Sequence, residues 1–277
     1  MPLVSTVIAL ALLTAIDAED DARTVVAGAT AAFVAGVDDK GWTATGLPIF
    51  DRGRLTGRVE RVPGVPVADL LVVLAVDAKT GERVLARVQP SDAAVTVQSP
   101  LDLTTTVGTL TMSACPAVEL ARGEKVESAL GPIRRVAQLV VAADSVGIAN
   151  RALSMAVDWA GQREQFGQPI GSYQAISHRC ANVLVSAEGA RGQVLLAADL
   201  DEEHPDAHTS ADLATAAALS AAVMAAEECI QIHGGIGFTW EHPAHLLLRR
   251  ATSNETLIGR PDVLRDRAVT AVFERMA

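Results

Sequence analysis

A long proline-free stretch is the feature that most constrains the fold of this chain. Between Pro132 and Pro169 no proline occurs, and apolar residues recur every three or four positions. That spacing places apolar side chains on one face of an α-helix, so we predict one long helix that ends near Arg163. Similar patterns predict further helices at about residues 172–201, 210–233, 241–257 and 262–276. Long helices joined by short loops indicate an antiparallel bundle of about four to five helices.

The first 120 residues show a different pattern. Residues 3–28 are spaced as in a helix, whereas residues 29–120 form short apolar segments separated by Gly, Pro and Asp. The apolar run from Val67 to Val76 is followed by a turn-forming cluster at 77–81, which predicts a hairpin into residues 83–88. We therefore predict an α+β protein. It has a shortened helical segment at 1–28, an antiparallel β-domain at 29–120 and a C-terminal four-helix-bundle domain at 121–277.

Composition and charge limit the partners. Aromatic residues make up 3% of the 277 residues, and the formal net charge is −10. An acidic chain repels phosphate backbones and anionic lipids, so neither nucleic acid nor a membrane is expected as a partner. Three widely spaced cysteines match neither a disulfide framework nor a zinc site, and Cys229 and His233 lack further ligands at a suitable spacing. We expect no metal site and a cytoplasmic location.

Two loops carry residues suited to binding an anionic ligand. The first reads Gln162-Arg163-Glu164-Gln165-Phe166-Gly167-Gln168-Pro169, and the second reads Gln231-Ile232-His233-Gly234-Gly235-Ile236-Gly237. Each sequence is also typical of an ordinary helix C-terminus, with Gly as the cap. The functional interpretation is a guanidinium beside an aromatic ring, which suits a diphosphate, and a turn whose backbone N–H groups are open to a ligand.

Together these loops closely resemble the C-terminal domain of the acyl-CoA dehydrogenases. The similarity extends through Gln174, Ile176 and His178. It implies a flavoprotein that binds FAD and desaturates an acyl-CoA thioester at its α and β carbons, with an electron-transfer flavoprotein as acceptor. It also implies a set of residues that contact the ADP half of FAD bound in a neighbouring subunit. These residues are Arg163, Gln165, Phe166, Gln174, Gln231, Gly234 and Gly235.

The sequence departs from the family pattern where the catalytic base is expected. The two base positions known in the family correspond to Ile258 and Ala137, and neither side chain accepts a proton. Glu255 lies nearby but on a different azimuth of its helix. The segments at 34–41 and 59–64 also lack the family's flavin-ring motifs. No residue of this chain is therefore assigned as catalytic.

The best explanation is a subunit that completes the FAD site of an unlike partner. It resembles one chain of the actinobacterial heteromeric acyl-CoA dehydrogenases of steroid side-chain catabolism, which form α2β2 assemblies. A structural or regulatory subunit that binds no flavin is one alternative. The other is a homo-oligomeric dehydrogenase that uses Glu255 as its base.

Overall fold

The computed structural model describes residues 3–38, 41–43 and 46–276. Its helices are α1 (Leu3–Ala15), α2 (Glu19–Val26), α3 (Glu124–Gln162), α4 (Gln174–Asp199), α5 (Ala207–His233), α6 (Ala244–Ile258) and α7 (Pro261–Met276). Its first strands are β1 (Ala31–Val34), β2 (Gly36–Asp38), β3 (Gly41–Thr43), β4 (Ile49–Asp51), β5 (Arg54–Pro63) and β6 (Leu70–Asp77). The others are β7 (Arg83–Val88), β8 (Ala94–Gln98), β9 (Val107–Pro116), β10 (Val118–Arg122), β11 (Glu164–Gln165) and β12 (Gln168–Pro169).

The chain forms two compact units, residues 1–137 and 138–277. The first unit holds α1, α2, strands β1 to β10 and the beginning of α3. The second holds the rest of α3, the hairpin β11–β12 and helices α4 to α7. The predicted domain boundaries at residues 28 and 120 stay a prediction. Asp39 and Lys40, in the segment at 34–41 that is predicted to lack a flavin-ring motif, lie outside the described residues.

The first unit is built on an eight-stranded mixed sheet. Seven strands follow the order β10-β7-β6-β4-β5-β9-β8, and β1 also pairs with β6. The predicted β6–β7 hairpin is present and antiparallel, with Leu71 opposite Val88. However, β1 and β4 both run parallel to β6, so the prediction of an antiparallel domain is wrong for these pairs. Parallel pairs need long connections, and here the intervening chain folds into other strands, which a local pattern does not reveal.

Strand β6 is buried on both faces. Leu71, Val73 and Ala75 belong to one hydrophobic cluster, and the alternate residues Leu70, Val72 and Leu74 belong to the other. The second cluster also contains residues of α1 and of the beginning of α3. This double burial explains why the sequence of β6 is an almost continuous apolar run.

The predicted helical segment at 1–28 consists of two helices, α1 and α2. The helical conformation is interrupted at Asp17, which adopts a left-handed φ of 56°. The acidic run that follows begins α2, where negative charge is favourable at a helix N-terminus. Asp21 in this run is buried and pairs with Arg87 at 2.7 Å.

The helices of the second unit surround α5. Helices α4, α6 and α7 all pack against α5, most of whose residues are buried, while Leu213, Glu227 and Gln231 lie on an exposed face. The predicted limits of α4 to α7 agree with the structure within about three residues. In contrast, α3 begins eight residues before Pro132, because Val126, Ala129 and Ile133 are buried in the second cluster of the first unit. That burial offsets the roughly 3 kcal/mol that a proline costs inside a helix.

Two of these helices, α3 and α5, are long and apolar enough to cross a membrane. Within the protein, 50% of the apolar window of α3 and 61% of that of α5 is buried, as in the core helices of a folded domain. The prediction that a membrane is not a partner stays a prediction.

Candidate functional site at one end of the helical unit

The loop between α3 and α4 is a two-residue β-hairpin. Glu164 and Gln165 pair with Pro169 and Gln168, and the connecting residues Phe166 and Gly167 have φ values of 54° and 82°. Positive φ at both central residues is the requirement of a type I′ turn. Glycine adopts it freely, but a phenylalanine there is strained by about 1–3 kcal/mol. Strain of this kind, held in an exposed turn, is characteristic of functional segments.

Tyr173, directly before α4, contacts this turn through its hydroxyl and its ring. Its hydroxyl donates a hydrogen bond to the carbonyl oxygen of Gln165 at 3.1 Å. Its ring lies edge-on to Phe166, with 6.5 Å between the ring centroids. Phe166 is nevertheless 95% exposed, so its face stays available to a ligand.

The glycine-rich turn follows α5 directly. Gly234 has a φ of 64° and opens a short 3₁₀ turn, Gly234–Phe238. A Cβ atom on Gly237 would lie 2.6 Å from the carbonyl oxygen of Ile230, so only glycine fits there. Gly235 is different, since a Cβ atom there would meet nothing within 4 Å. Its backbone is open to approach from outside, as the sequence pattern predicts.

A stack of rings holds the two loops at the same end of the helical unit. Trp159, in the last turn of α3, stacks on His233 at 5.2 Å, and His233 lies 4.1 Å from the ring of His242. The Nδ1 atom of His233 is 2.7 Å from the carbonyl oxygen of Cys229, and a carbonyl only accepts, so Nδ1 carries the proton. His233 precedes the glycine turn, and Trp159 lies four residues before Arg163. The stack therefore joins the two loops.

The surroundings of His242 favour the neutral form of its ring. Burial is the main cause that lowers the pKa of His242 from 6.5, and the neighbouring His233 and His245 add to it. His242 Nδ1 accepts a hydrogen bond from the backbone N–H of Ala244. Burial also raises the pKa of the Cys229 thiol to about 11. A protonated thiol is a poor metal ligand, and no cluster of three potential ligands occurs in the described part of the chain.

The structure brings the seven predicted ligand-contacting residues to this end. The exposed ones are Arg163, Gln165, Phe166, Gln174, Gln231 and Gly235, and Gly234 is partly exposed. Arg163 makes no ion pair within the described residues, so its guanidinium is available to an anion. The amide of Gln165 turns back to donate to the carbonyl of Glu164 at 2.7 Å. A free guanidinium, carboxamides, an exposed ring and an open backbone suit a ligand with a diphosphate and an aromatic base.

The two expected base positions are buried and apolar. Ile258 is the last residue of α6 and is 6% exposed, and Ala137 on α3 is fully buried. Glu255 lies one turn earlier on α6, about 60° away from Ile258 at 3.6 residues per turn. Burial raises the pKa of its carboxyl group. The positive charge of Arg260 lowers that pKa, and the negative charges of Asp262 and Glu227 raise it.

Helix α6 is fixed to α3 by a polar network that sequence reasoning missed. Arg250 donates two hydrogen bonds to Asp144, at 2.9 and 2.7 Å. The buried Asn254 donates to Asp144 at 2.9 Å and to Ser145 at 3.1 Å. These contacts determine which face of α6 turns towards α3. The four residues are spread over more than 100 positions, and no local motif marks them.

Comparison with known proteins agrees with this geometry. The family model for the acyl-CoA dehydrogenase C-terminal domain matches residues 135–273, half of the chain. The chain belongs to the acyl-CoA dehydrogenase family. The sequence prediction of that family is confirmed.

Several members of the family are similar over large parts of the chain. Acyl-CoA dehydrogenase IpdE2 of Mycobacterium tuberculosis is 40% identical over 142 residues, which are 51% of this chain and 43% of IpdE2. FadE27 of the same organism is 30% identical over 217 residues, 74% of this chain and 57% of FadE27. The ChsE4–ChsE5 complex from Mycobacterium tuberculosis has a TM-score of 0.76 at 27% identity, over 91% of this chain and 69% of the matched chain. The chain thus spans about half the length of the curated relatives it matches.

Acyl-CoA dehydrogenases bind FAD, and the residues at this end of the helical unit suit part of that molecule. The strongest structural indication is the strained turn that exposes Phe166 three residues after Arg163, which makes no ion pair in the described part of the chain. The absence of the family's flavin-ring motifs stays a prediction from the sequence. The residues at this end suit the dinucleotide part of FAD.

The sequence located both loops but not what supports them. Trp159, His242 and Tyr173 were not among the predicted site residues. The chain contains a single tyrosine, immediately before the predicted Gln174, and this was the one available signal for Tyr173. Trp159 and His233 are 74 positions apart in the sequence. Only the packing of α3 against α5 makes them neighbours.

Proposed function

We propose that this chain is a subunit of an FAD-dependent acyl-CoA dehydrogenase that holds the ADP end of FAD for an unlike partner subunit. One contrast carries the proposal. The loops for the dinucleotide end are exposed and free, whereas Ile258 and Ala137 fill the base positions with buried apolar groups. A chain in this state provides binding groups without a base, so another chain supplies the base and the ring contacts.

The residues of this chain would act by binding and orientation. Arg163 would offset the charge of the diphosphate, and Phe166 would provide a flat apolar surface. Gln174 and Gln231 would donate hydrogen bonds from their carboxamides, and Gly235 would allow close approach of the backbone. Gln165 and Gly234 would complete the contact surface. FAD, when bound, supplies the acceptor for a hydride.

The reaction we propose is the α,β-desaturation of an acyl-CoA thioester, carried out by a two-chain assembly with α2β2 composition. Support for an unlike partner comes from the ChsE4–ChsE5 complex, in which two chains are named. We propose a bulky, steroid-derived acyl group and an electron-transfer flavoprotein as acceptor, both on the resemblance described above.

The three cysteines are all free, which suits the cytoplasmic location we propose.

The test is flavin content with and without the partner. We would purify the chain alone and together with the unlike subunit encoded beside it, and record the visible spectrum and native mass of each sample. We expect a colourless chain alone and a yellow hetero-oligomer. In the complex, Arg163→Ala should lower the flavin-to-protein ratio. The matched control is Arg191→Ala, an exposed arginine far along α4 that pairs only with Glu188 in the structure described.

Two outcomes would contradict the proposal. Unchanged flavin content in the Arg163→Ala complex would indicate that the loops are only helix caps and that the subunit is structural. A yellow, active chain in the absence of any partner, inactivated by Glu255→Gln, would indicate a self-sufficient dehydrogenase. The raised pKa of Glu255 is the observation that makes this second function worth testing.

A further inference from the structure

Tyr173 occupies an unusual position for a polar aromatic residue. It is the only tyrosine of the chain and lies directly before the first residue of α4. From there its side chain reaches back across the hairpin, with the hydroxyl on Gln165 and the ring edge on Phe166. It therefore contacts Gln165 and Phe166, and Phe166 is the residue with the strained backbone.

The hairpin has little else to hold it in shape. Its ladder consists of two residue pairs, and an isolated two-stranded hairpin is marginal in water. The backbone of Phe166 is strained, and its ring is 95% exposed. The base of the loop is fixed, since the N–H of Ile170 donates to the carbonyl of Arg163 at 2.8 Å. At the tip, the backbone pairing described is the single Gln165–Gln168 pair, so a contact from outside the hairpin adds to the order of the turn.

We propose that Tyr173 is a positioning residue that holds the Phe166 turn ready for the dinucleotide. Its hydroxyl fixes the Gln165 carbonyl, and its ring edge fixes the orientation of Phe166. The ligand then binds a turn that is already ordered and does not have to supply the ordering itself. This inference rests on the proposed function for the identity of the ligand, but the contact between Tyr173 and Phe166 is independent of it.

The first experiment tests the contact in the chain alone. With a single tyrosine, incorporation of 3-fluorotyrosine gives one ¹⁹F resonance, which reports the surroundings of Tyr173. Phe166→Ala should shift that resonance, because the neighbouring ring current is lost. Leu184→Ala, an exposed apolar residue farther along α4, is the control and should leave it in place. An unchanged resonance in Phe166→Ala would overturn the proposal.

The second experiment tests the consequence in the flavin-loaded complex. Tyr173→Phe keeps the ring and removes one hydrogen bond, which is worth about 1 kcal/mol, or about a fivefold change in an equilibrium constant. We expect flavin to leave the complex about five times faster on dilution, measured by the recovery of flavin fluorescence. Tyr173→Leu removes the ring as well and should have a larger effect. Ser177→Ala removes a hydroxyl that donates to backbone carbonyls at the start of α4, and it should leave the rate of flavin release unchanged.

The outcomes separate the two proposals. If Arg163→Ala accelerates flavin release and Tyr173→Phe does not, the positioning role is wrong while the proposed function stands. If neither accelerates release although the ¹⁹F resonance responds to Phe166, the contact exists but the proposed function of the loop is wrong. An equal loss of thermal stability in Tyr173→Phe and Ser177→Ala, with faster release only in the former, supports positioning over a general structural effect.

Discussion

Replacing Asp212 by alanine should destabilise the helical unit strongly. Asp212 is on α5 and is 5% exposed. Its carboxylate accepts hydrogen bonds from the amide of Gln138 at 2.5 Å and from Nε of Arg267 at 2.8 Å, and it has a second contact with the Arg267 guanidinium. It thereby links α3, α5 and α7 inside the second unit.

The expected loss follows from the burial of each partner. Removing one member of a buried ion pair costs about 3–5 kcal/mol, since the other charge is left without its partner. The Arg267 side chain is 29% exposed, so water recovers part of its hydration. We therefore expect Asp212→Ala to lower the free energy of unfolding by about 2–3 kcal/mol. Asp212→Asn retains an acceptor oxygen and should lose about half as much.

The assay is urea unfolding followed by circular dichroism. The control is Asp266→Ala, an exposed carboxylate next to Arg267 on α7, which should change stability by less than about 0.5 kcal/mol. Arg267→Ala combined with Asp212→Ala should lose less than the sum of the single variants, because the two residues share one interaction. A loss below about 1 kcal/mol in Asp212→Ala would refute the argument that this carboxylate is an essential buried acceptor.

Three further predictions concern the candidate site and α6. Gly237→Ala should destabilise the chain by about 1–3 kcal/mol, since its Cβ would meet the Ile230 carbonyl, whereas Gly235→Ala should leave the melting temperature unchanged. The pKa of His242 is lowered in the folded state, so its contribution to stability is present above pH 6.5 and is lost as the pH falls below that value. Melting temperatures between pH 5 and 8 should therefore depend less on pH in His242→Phe. The pKa of Glu255 is raised instead, so its contribution is present below pH 4.5 and is lost as the pH rises. Glu255→Gln should thus raise stability at pH 7 but not at pH 4, and the exposed Glu274→Gln should have no such effect in urea titrations.

The helices were largely predictable because their information is local. The 3.6-residue period marks α4 to α7, and Gly234 and Gly259 follow the ends of α5 and α6. The beginning of α3 was not predictable, since Pro132 is locally unfavourable and only the buried contacts of Val126 and Ile133 favour the helix. The parallel pairing of β1 with β6 was not predictable for a related reason. It joins residues about 39 positions apart, such as Ala31 and Leu70, and leaves no mark in either segment.

The candidate site shows the same division at a smaller scale. Gly167 and Gly234 marked the two turns correctly because glycine is required by the backbone at those positions. Nothing in the sequence indicated that Phe166 shares the left-handed conformation of Gly167, since most aromatic residues avoid it. In the structure that conformation occurs together with the hairpin pairing and the contact with Tyr173.

The contrast between the two halves of the predicted chemistry has one physical origin. The dinucleotide binding that we propose at this end would depend on exposed groups, which the fold tolerates at little energetic cost as long as the two turns form. A catalytic carboxylate at position 258 would instead have to be buried, since Ile258 is 6% exposed, and an unpaired buried charge is expensive. An isoleucine there removes that cost and stabilises the end of α6 by apolar contact. Under our proposal that a partner subunit supplies the base, the chain gains stability at position 258 and keeps its exposed loops.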